Sequence, residues 1–247
     1  GITVFTDKTF HLAPQVTSPI KVAWVVEPYD LLPQIYELVV KFEDEFDFIF
    51  TYEKTLLDRN PNKYKFLPCD TSGIEIESHK LHQKTKLVSM IYSEKTWLFG
   101  HRLRHIIAKS LIPEMGYTKI DFFGRGTTTP IELKSEGTNP YMFQIAMENA
   151  RRENYFADKI YDCFVAGTVP IYWGAPNVGD FFDMRGILSF EHPSELKEIL
   201  LSLSREKYES MYEGVKENFE RVKYYLRPDD LLFESIVEQL RLRSSNK

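Results

Sequence analysis

The 247-residue sequence contains only two cysteines, Cys69 and Cys163. One disulfide could join them, but Cys163 falls on the apolar face of a predicted helix, so we predict two reduced thiols. No apolar run approaches the length of a membrane span, and no signal peptide opens the sequence. The sequence begins with Gly1 rather than Met, so a fragment of a longer protein is one interpretation.

Basic clusters and common ligand motifs are also missing. No Lys- or Arg-rich run occurs and the formal net charge is −5, which removes the usual electrostatic basis of nucleic-acid binding. The G-x-x-x-x-G-K-[ST] loop of P-loop NTPases is absent. His101 and His105, and likewise His79 and His82, have spacings that can bind zinc. Without an HExxH motif or a nearby Cys pair, we interpret them as helix-surface or loop histidines.

What remains is an ordinary globular composition, with 43% hydrophobic, 27% charged and 14% aromatic residues. Such a chain can bury one large core or two small ones. Short, mostly apolar runs predict nine strands, at 2–5, 21–26, 46–52, 64–67, 87–92, 119–123, 141–147, 169–173 and 187–190. Helices are predicted at 31–46, 100–111, 155–166, 193–202, 205–226 and 228–242.

The order of these elements predicts an α/β fold with two successive Rossmann-like series. Residues 70–85 are polar and lack an apolar period, so we place the boundary there. The predicted domains are a small amino-terminal lobe, 1–85, and a carboxyl-terminal lobe, 86–247, closed by the last helices.

The stretch 141–174 holds the densest set of polar candidates. It runs from a strand through the turn 148–154 into a helix and a second strand. Ligands of parallel α/β sheets bind outside the carboxyl ends of the strands. The candidate ligand-binding residues at this end are Glu148, Asn149, Tyr155, Asp158 and Lys159.

This stretch resembles glycosyltransferase family 10, the α-1,3/α-1,4-fucosyltransferases. The family signature is an apolar strand ending in E-N, a short spacer, Y-V-T-E-K, and then A-G-x-V-P-Φ-Φ-x-G. The matching residues here, in the same order and spacing, are Phe143…Glu148-Asn149, Tyr155-Phe156-Ala157-Asp158-Lys159 and Ala166–Gly174. Weaker matches are Ser93, Arg104, Ile120-Asp121…Gly124 and Val25-Val26-Glu27-Pro28. The resemblance covers residues 87–190 well, the first 86 poorly and the last helices not at all.

The resemblance implies two facing Rossmann-like lobes of the GT-B type and an inverting transfer of fucose from GDP-fucose to a glycan hydroxyl. It also implies that the second lobe holds the nucleotide. No strict D-x-D, the metal-holding motif of the other common transferase fold, occurs in the sequence, so we expect neither a metal nor another cofactor. Two features depart from the family: T-E-K is Ala157-Asp158-Lys159 here, and the first lobe is small.

Physical chemistry gives each candidate a role and an ordinary alternative. Lys159 is expected one turn into a helix, where its charge and the helix amino terminus would both favour binding of a diphosphate. The alternative is a lysine exposed to solvent. Arg104 can grip phosphate oxygens with two parallel hydrogen bonds, or form a surface ion pair, with Arg102 as the substitute if the register differs. Asp158 can accept hydrogen bonds from ribose hydroxyls, or it can cap the helix, and the two roles are compatible.

The remaining candidates divide between the two lobes. The resemblance assigns Asn149 and Tyr155 to nucleotide contacts, whereas Glu148 is expected to fix the loop by accepting backbone hydrogen bonds. Glu27 follows a buried strand and is the candidate general base, with a solvated strand-end glutamate as the alternative.

Other functions and several properties stay open. The same fold could use another nucleotide sugar, or the chain could be a non-catalytic nucleotide- or carbohydrate-binding module of a larger protein. The compartment would be the cytoplasm for a bacterial or viral protein, or the Golgi lumen if an anchor has been removed. The acceptor, the linkage and the oligomeric state are not encoded in these patterns.

Overall fold

A computed structural model describes residues 1–68, 70–125 and 127–245. The chain divides into two units. The first consists of Gly1–Asp70, Arg152–Tyr155 and Arg227–Lys247, and the second of Thr71–Arg151 and Phe156–Leu226.

The first unit is built on a four-stranded parallel sheet in the order β1-β2-β3-β4. Its elements along the chain are β1 (Ile2–Thr6), β2 (Ile20–Trp24), α1 (Pro33–Lys41), β3 (Phe48–Thr51), α2 (Lys54–Leu57) and β4 (Tyr64–Phe66). Alternate strand residues such as Phe5, Ala23 and Ile49 pack with Ile35 of α1 in one apolar core.

The second unit carries a five-stranded parallel sheet in the order β6-β5-β7-β8-β9. Its first elements are β5 (Lys86–Ile91), α3 (Phe99–Ile106), α4 (Ile112–Glu114), β6 (Ile120–Phe123), α5 (Lys134–Thr138) and β7 (Tyr141–Met147). They are followed by α6 (Asp158–Ala166), β8 (Val169–Trp173), β9 (Leu188–Ser189), α7 (Pro193–Ser202), α8 (Arg205–Ser210) and α9 (Tyr212–Val222). The sheet has an apolar core on each face, since Ile145 belongs to one cluster and its neighbour Ala146 to the other.

The last helix, α10 (Pro228–Ser245), returns to the first unit. Leu232 and Ile236 of this helix are buried. The Arg243 guanidinium lies 4.0 Å from the centroid of the Phe48 ring, and its Nη1 donates to Asp47 Oδ1 at 2.8 Å. Among the described residues, no helix combines the length and apolar character that crossing a bilayer requires.

The predicted α/β fold class is confirmed, because two parallel sheets follow one another along the chain. The structure contains a strand at each of the nine predicted places. Helix limits differ more. The predicted helix 205–226 is interrupted at Met211, and the predicted helix 100–111 continues from α3 into a π-helical segment, Ile107–Leu111.

The division into units also differs from the predicted domains 1–85 and 86–247. The structure divides the chain at Asp70 and assigns 152–155 and 227–247 to the first unit. The polar segment 71–85 is not a linker, because Lys84 is buried in the second unit. Its Nζ donates to three oxygens, which are Asn139 O at 2.8 Å, Ala166 O at 2.7 Å and Thr168 Oγ1 at 2.8 Å. A sequence pattern reports the polarity of such a lysine but not the carbonyl groups that surround it.

Candidate functional site

The strand order of the second unit reverses between β5 and β7. From β5 the chain goes to β6 on one side and then to β7 on the other. Such a switch point opens a crevice at the carboxyl ends of the strands, where ligands of open α/β sheets bind. Glu148 and Asn149 follow β7 directly at this point.

Arg104 of α3 organises the end of β7. Its Nε and Nη2 donate to Met147 O at 3.1 and 2.6 Å, and Nη2 also donates to Asn149 Oδ1 at 2.8 Å. The residue is only 6% exposed, so it is not the surface ion pair that the sequence left open. In this structure Arg104 fixes the strand end and orients the Asn149 amide. Its contact with a phosphate stays a prediction.

The start of α3 lies directly against the same loop. Gly100 N donates to Asn149 O at 3.0 Å, and a Cβ added at Gly100 would lie 2.1 Å from Glu148 O. Only glycine permits this approach. His101 is buried, and its Nδ1 accepts a hydrogen bond from Leu98 N at 3.3 Å. It is therefore not a helix-surface histidine, and burial, with Arg104 nearby, lowers its pKa to about 4.

Glu148 is completely buried and carries out the role expected of it. Its Oε1 accepts a hydrogen bond from Ala157 N at 3.0 Å, which ties the end of β7 to the start of α6. Its Oε2 has no hydrogen-bond partner among the described residues and lies 3.7 Å from Lys159 Nζ. Burial raises the pKa of this carboxyl to about 7, although Lys159 acts in the opposite direction.

Helix α6 begins later than its sequence pattern predicted. Its first residue is Asp158 rather than Tyr155, because Ala157 is extended, with φ −142° and ψ −161°, and forms the N-cap. Lys159 is consequently the second residue of the helix and not a full turn inside it. Its Nζ donates to Asp158 Oδ1 at 2.6 Å, so the ammonium group lies at the positive end of the helix dipole.

A second lysine reaches the same carboxylate from α5. Lys134 Nζ donates to Asp158 Oδ2 and, at 2.7 Å, to Asp162 Oδ2. Burial alone would raise the pKa of Asp158, but Lys159 and Lys134 together hold it well below its ordinary value. Sequence reasoning missed both Lys134 and Asp162. The i, i+4 spacing of Asp158 and Asp162 was the one available signal, because it places two acids on one helix face.

Tyr155 belongs to the first unit, unlike the other predicted nucleotide-binding residues. It is 3% exposed, and its ring centroid lies 5.2 Å from that of Tyr52. Asn154 Nδ2 donates to Tyr52 O at 3.1 Å, and Arg152 pairs with Asp30. The segment 152–155 is thus anchored to the residues that follow the strands of the first sheet.

Glu27, the predicted base, is half-buried in the first unit. Its backbone is held from two sides. Tyr36 Oη donates to Glu27 O at 2.8 Å, and Asp7 accepts backbone hydrogen bonds from Val26, at 2.9 Å, and from Glu27. Asp7 follows β1, the strand beside β2, and has a left-handed φ of 37°. Burial raises the pKa of Asp7, a carboxyl group that sequence reasoning missed.

Two further predictions concern cysteine and metal. Cys163 is a buried free thiol whose Sγ lies 3.2 Å from Gln144 Oε1, whereas Cys69 lies outside the described residues. Within 1–68, 70–125 and 127–245, no group of three or more His, Cys, Asp or Glu side chains is arranged to hold a metal ion. Metal independence stays a prediction.

Comparison with known families identifies this arrangement. Residues 81–226, more than half of the chain, match the model of the carboxyl-terminal part of glycosyltransferase family 10 (fucosyltransferase). The chain belongs to glycosyltransferase family 10. The matched region extends through α9, so family similarity reaches further than residue 190, where the sequence motifs ended.

Individual relatives agree with this assignment. The chain is 32% identical over 59 residues to the α-(1,3)-fucosyltransferase FucT of Helicobacter pylori, covering 24% of this chain and 12% of that protein. It is 33% identical over 79 residues to the GDP-fucose protein O-fucosyltransferase 3 of Gallus gallus, covering 30% and 17%. The matches span no more than about a quarter of the length of these curated relatives.

A solved structure extends the similarity to the fold. An α1,3-fucosyltransferase with GDP-fucose superposes with a TM-score of 0.53 at 17% identity, over 87% of this chain and 80% of the other. The identity is too low to carry function, but the coverage includes both units. The GT-B fold type expected from the sequence is confirmed.

Proposed function

We propose that this member of family 10 is an inverting fucosyltransferase that uses GDP-fucose and makes an α-1,3 linkage to a glycan hydroxyl. The observation that carries the proposal is the amino terminus of α6, with Lys159 at its second position, beside the switch point of the second sheet. A helix amino terminus with a lysine at its second position favours a diphosphate. Asn149 and Asp158 offer an amide and a carboxylate for the nucleoside, and Tyr155 a phenol.

The proposed chemistry needs one base and a stabilised leaving group. Glu27 takes the proton of the acceptor hydroxyl as that oxygen bonds to the anomeric carbon, from the face opposite the diphosphate. The bond from the anomeric carbon to the diphosphate oxygen breaks, and GDP leaves with its electron pair. The α6 dipole and Lys159 stabilise the developing charge, and the guanidinium of Arg104 contributes from the end of β7.

A protein hydroxyl is the second candidate acceptor. The similarity to a GDP-fucose protein O-fucosyltransferase supports it, since that alignment covers 30% of this chain. Glycan and polypeptide acceptors require the same base and the same leaving group, so the residues of the second unit do not distinguish them.

An acceptor panel tests the proposal. The protein is incubated with GDP-fucose and either N-acetyllactosamine, a Ser/Thr-containing peptide or no acceptor, and GDP release and product mass are measured. UDP-glucose serves as the control donor. We expect acceptor-dependent GDP release with N-acetyllactosamine and an α-anomeric product, as inversion of the β-linked donor requires.

Other outcomes have defined meanings. Transfer only to the peptide would replace the glycan proposal, and transfer only from UDP-glucose would replace the donor. GDP binding without turnover across the whole panel would favour a non-catalytic nucleotide-binding module.

A further inference from the structure

Two carboxylates on α6 share one lysine. Asp158 and Asp162 lie one helical turn apart, and the Nζ of Lys134 hydrogen-bonds to an oxygen of each. Asp162 is 4% exposed, so its charge requires a partner inside the protein. Lys134 supplies that partner from a different helix, α5.

The segment 71–74 closes over this pair. Ser72 Oγ and Gly73 N donate to Asp162 Oδ1 at 2.8 and 2.7 Å. A Cβ added at Gly73 would lie 2.5 Å from Lys134 Nζ, so the ammonium group is packed directly beneath the backbone. The position of Lys134 is therefore fixed by packing as well as by charge.

The charges around the start of α6 are closely balanced. Three carboxyl groups, those of Glu148, Asp158 and Asp162, lie near two ammonium groups, those of Lys134 and Lys159. Without Lys134, Lys159 alone would oppose Asp158 and Asp162. Excess negative charge would then lie where the proposed diphosphate docks, and like charges repel strongly at partly buried sites.

We propose that Lys134 is a positioning residue of the nucleotide site, which holds Asp158 in place and supplies the second positive charge that lets the start of α6 accept a diphosphate. The inference rests on the proposed function, since it concerns the same donor site. Lys134 acts through Asp158 and Asp162 and need not touch the ligand itself.

Calorimetric titration with GDP tests this role. We expect Lys134→Met to weaken GDP binding about tenfold or more near pH 8, whereas Lys134→Arg retains most of the affinity. The charge-matched double variant Lys134→Met/Asp162→Asn should also recover binding, because it removes one charge of each sign. Lys86→Met is the control, since Lys86 begins β5 at the opposite end of the strands and the variant loses the same formal charge.

A pH series separates the electrostatic role from a merely structural one. In Lys134→Met only Lys159 still opposes the effect of burial on Asp158, so the pKa of this carboxyl is higher than in the wild type and the group becomes protonated more readily. The difference in GDP affinity between this variant and the wild type should therefore shrink at about pH 5.5. The charged groups facing Asp158 in this comparison are Lys159, Asp162 and Glu148.

Three results would overturn the inference while leaving the proposed function intact. They are wild-type GDP affinity in Lys134→Met, an equal deficit at both pH values, and an undiminished deficit in the double variant. If Lys134→Met does not fold, the double variant decides, because it leaves neither partner unpaired. Failure of the wild-type protein to bind GDP would instead overturn the proposed function and this inference together.

Discussion

The two sheets of the protein follow the chain in different ways. In the first unit the spatial order β1-β2-β3-β4 repeats the sequence order, whereas the second sheet reverses between β5 and β7. The reversal opens a crevice at the strand ends, and Arg104, Glu148, Asn149 and the start of α6 gather there. The first unit offers instead a pair of acids, Asp7 and Glu27, after the neighbouring strands β1 and β2.

This difference in strand order agrees with the proposed roles of the two units, in which the second unit binds the donor at its switch point and the first unit provides the base. Beside its switch point the second unit brings Arg104, Lys159 and the amino terminus of α6 together, and we propose that these groups bind the anionic donor. The first unit contains Glu27, whose backbone is held by Asp7 and Tyr36 and which we propose as the base. Changes to each unit should therefore alter different quantities.

The largest expected effect comes from the first unit. Glu27→Gln removes the proposed base while keeping its shape, and we expect kcat to fall by about 10²–10⁴-fold with the GDP-fucose dissociation constant changed less than about twofold. Glu37→Gln, an exposed acid of the same unit, is the control for steady-state transfer assays. Unchanged kcat in Glu27→Gln would show that Glu27 of the first unit is not the catalytic base.

In the second unit, Gly100→Ala should have the next largest effect. The new Cβ would meet the backbone oxygens of Glu148 and Asn149 at 2.1 and 2.7 Å, which cannot move aside without shifting the end of β7. We expect a loss of about 3 kcal/mol in the free energy of unfolding, measured with urea, and weaker GDP binding. Gly116→Ala is the control, because its Cβ would meet open space and its positive φ costs about 1 kcal/mol. Equal losses in the two variants would show that the close approach is unimportant.

Glu148 should make stability depend on pH. Its pKa is raised from 4.5 to about 7, chiefly by burial, so the folded protein binds its proton more tightly than the unfolded chain does. The resulting stabilisation is complete below about pH 4.5 and is lost as the pH rises through about 7, by an amount on the order of 3 kcal/mol.

Glu148→Gln cannot ionise and should lose this slope. Urea unfolding of both proteins at several pH values between these limits measures it, with the exposed Glu114→Gln as the control. The same pH dependence in wild type and Glu148→Gln would contradict the assignment.

The smallest expected effect is that of Lys159→Met. The side chain is 23% exposed and Lys134 still neutralises Asp158, so stability should change little. GDP affinity should fall about tenfold, since one charge-assisted contact to phosphate is lost. Lys159→Arg should keep most of the affinity in the same titration. If the Met variant bound GDP normally, the diphosphate would have to lie elsewhere in the second unit.

Much of the candidate site could be predicted from the sequence. The strand at 141–147, the E-N pair and the D-K pair predicted a ligand site after β7, and Glu148 accepts the backbone hydrogen bond expected of it. The roles of Asn149, Tyr155, Asp158 and Glu27 toward a ligand stay predictions. Lys134 could not be predicted, because no pattern in the neighbouring sequence indicates that it pairs with Asp158 and Asp162, 24 and 28 positions further along the chain.

The sequence by itself determined the nine strands and the chemistry-bearing motif, because short apolar runs and the types of residue at strand ends are local properties. Only the tertiary structure decided that α10 joins the first unit, that segment 71–85 is packed into the second, and that Arg104 binds the end of β7. Those facts depend on which distant backbone groups and charges meet in space. The physical reason is that a buried cation such as Lys84 or Arg104, or a half-buried one such as Lys134, takes its partners from segments far away in the chain, and spacing along the chain does not encode them.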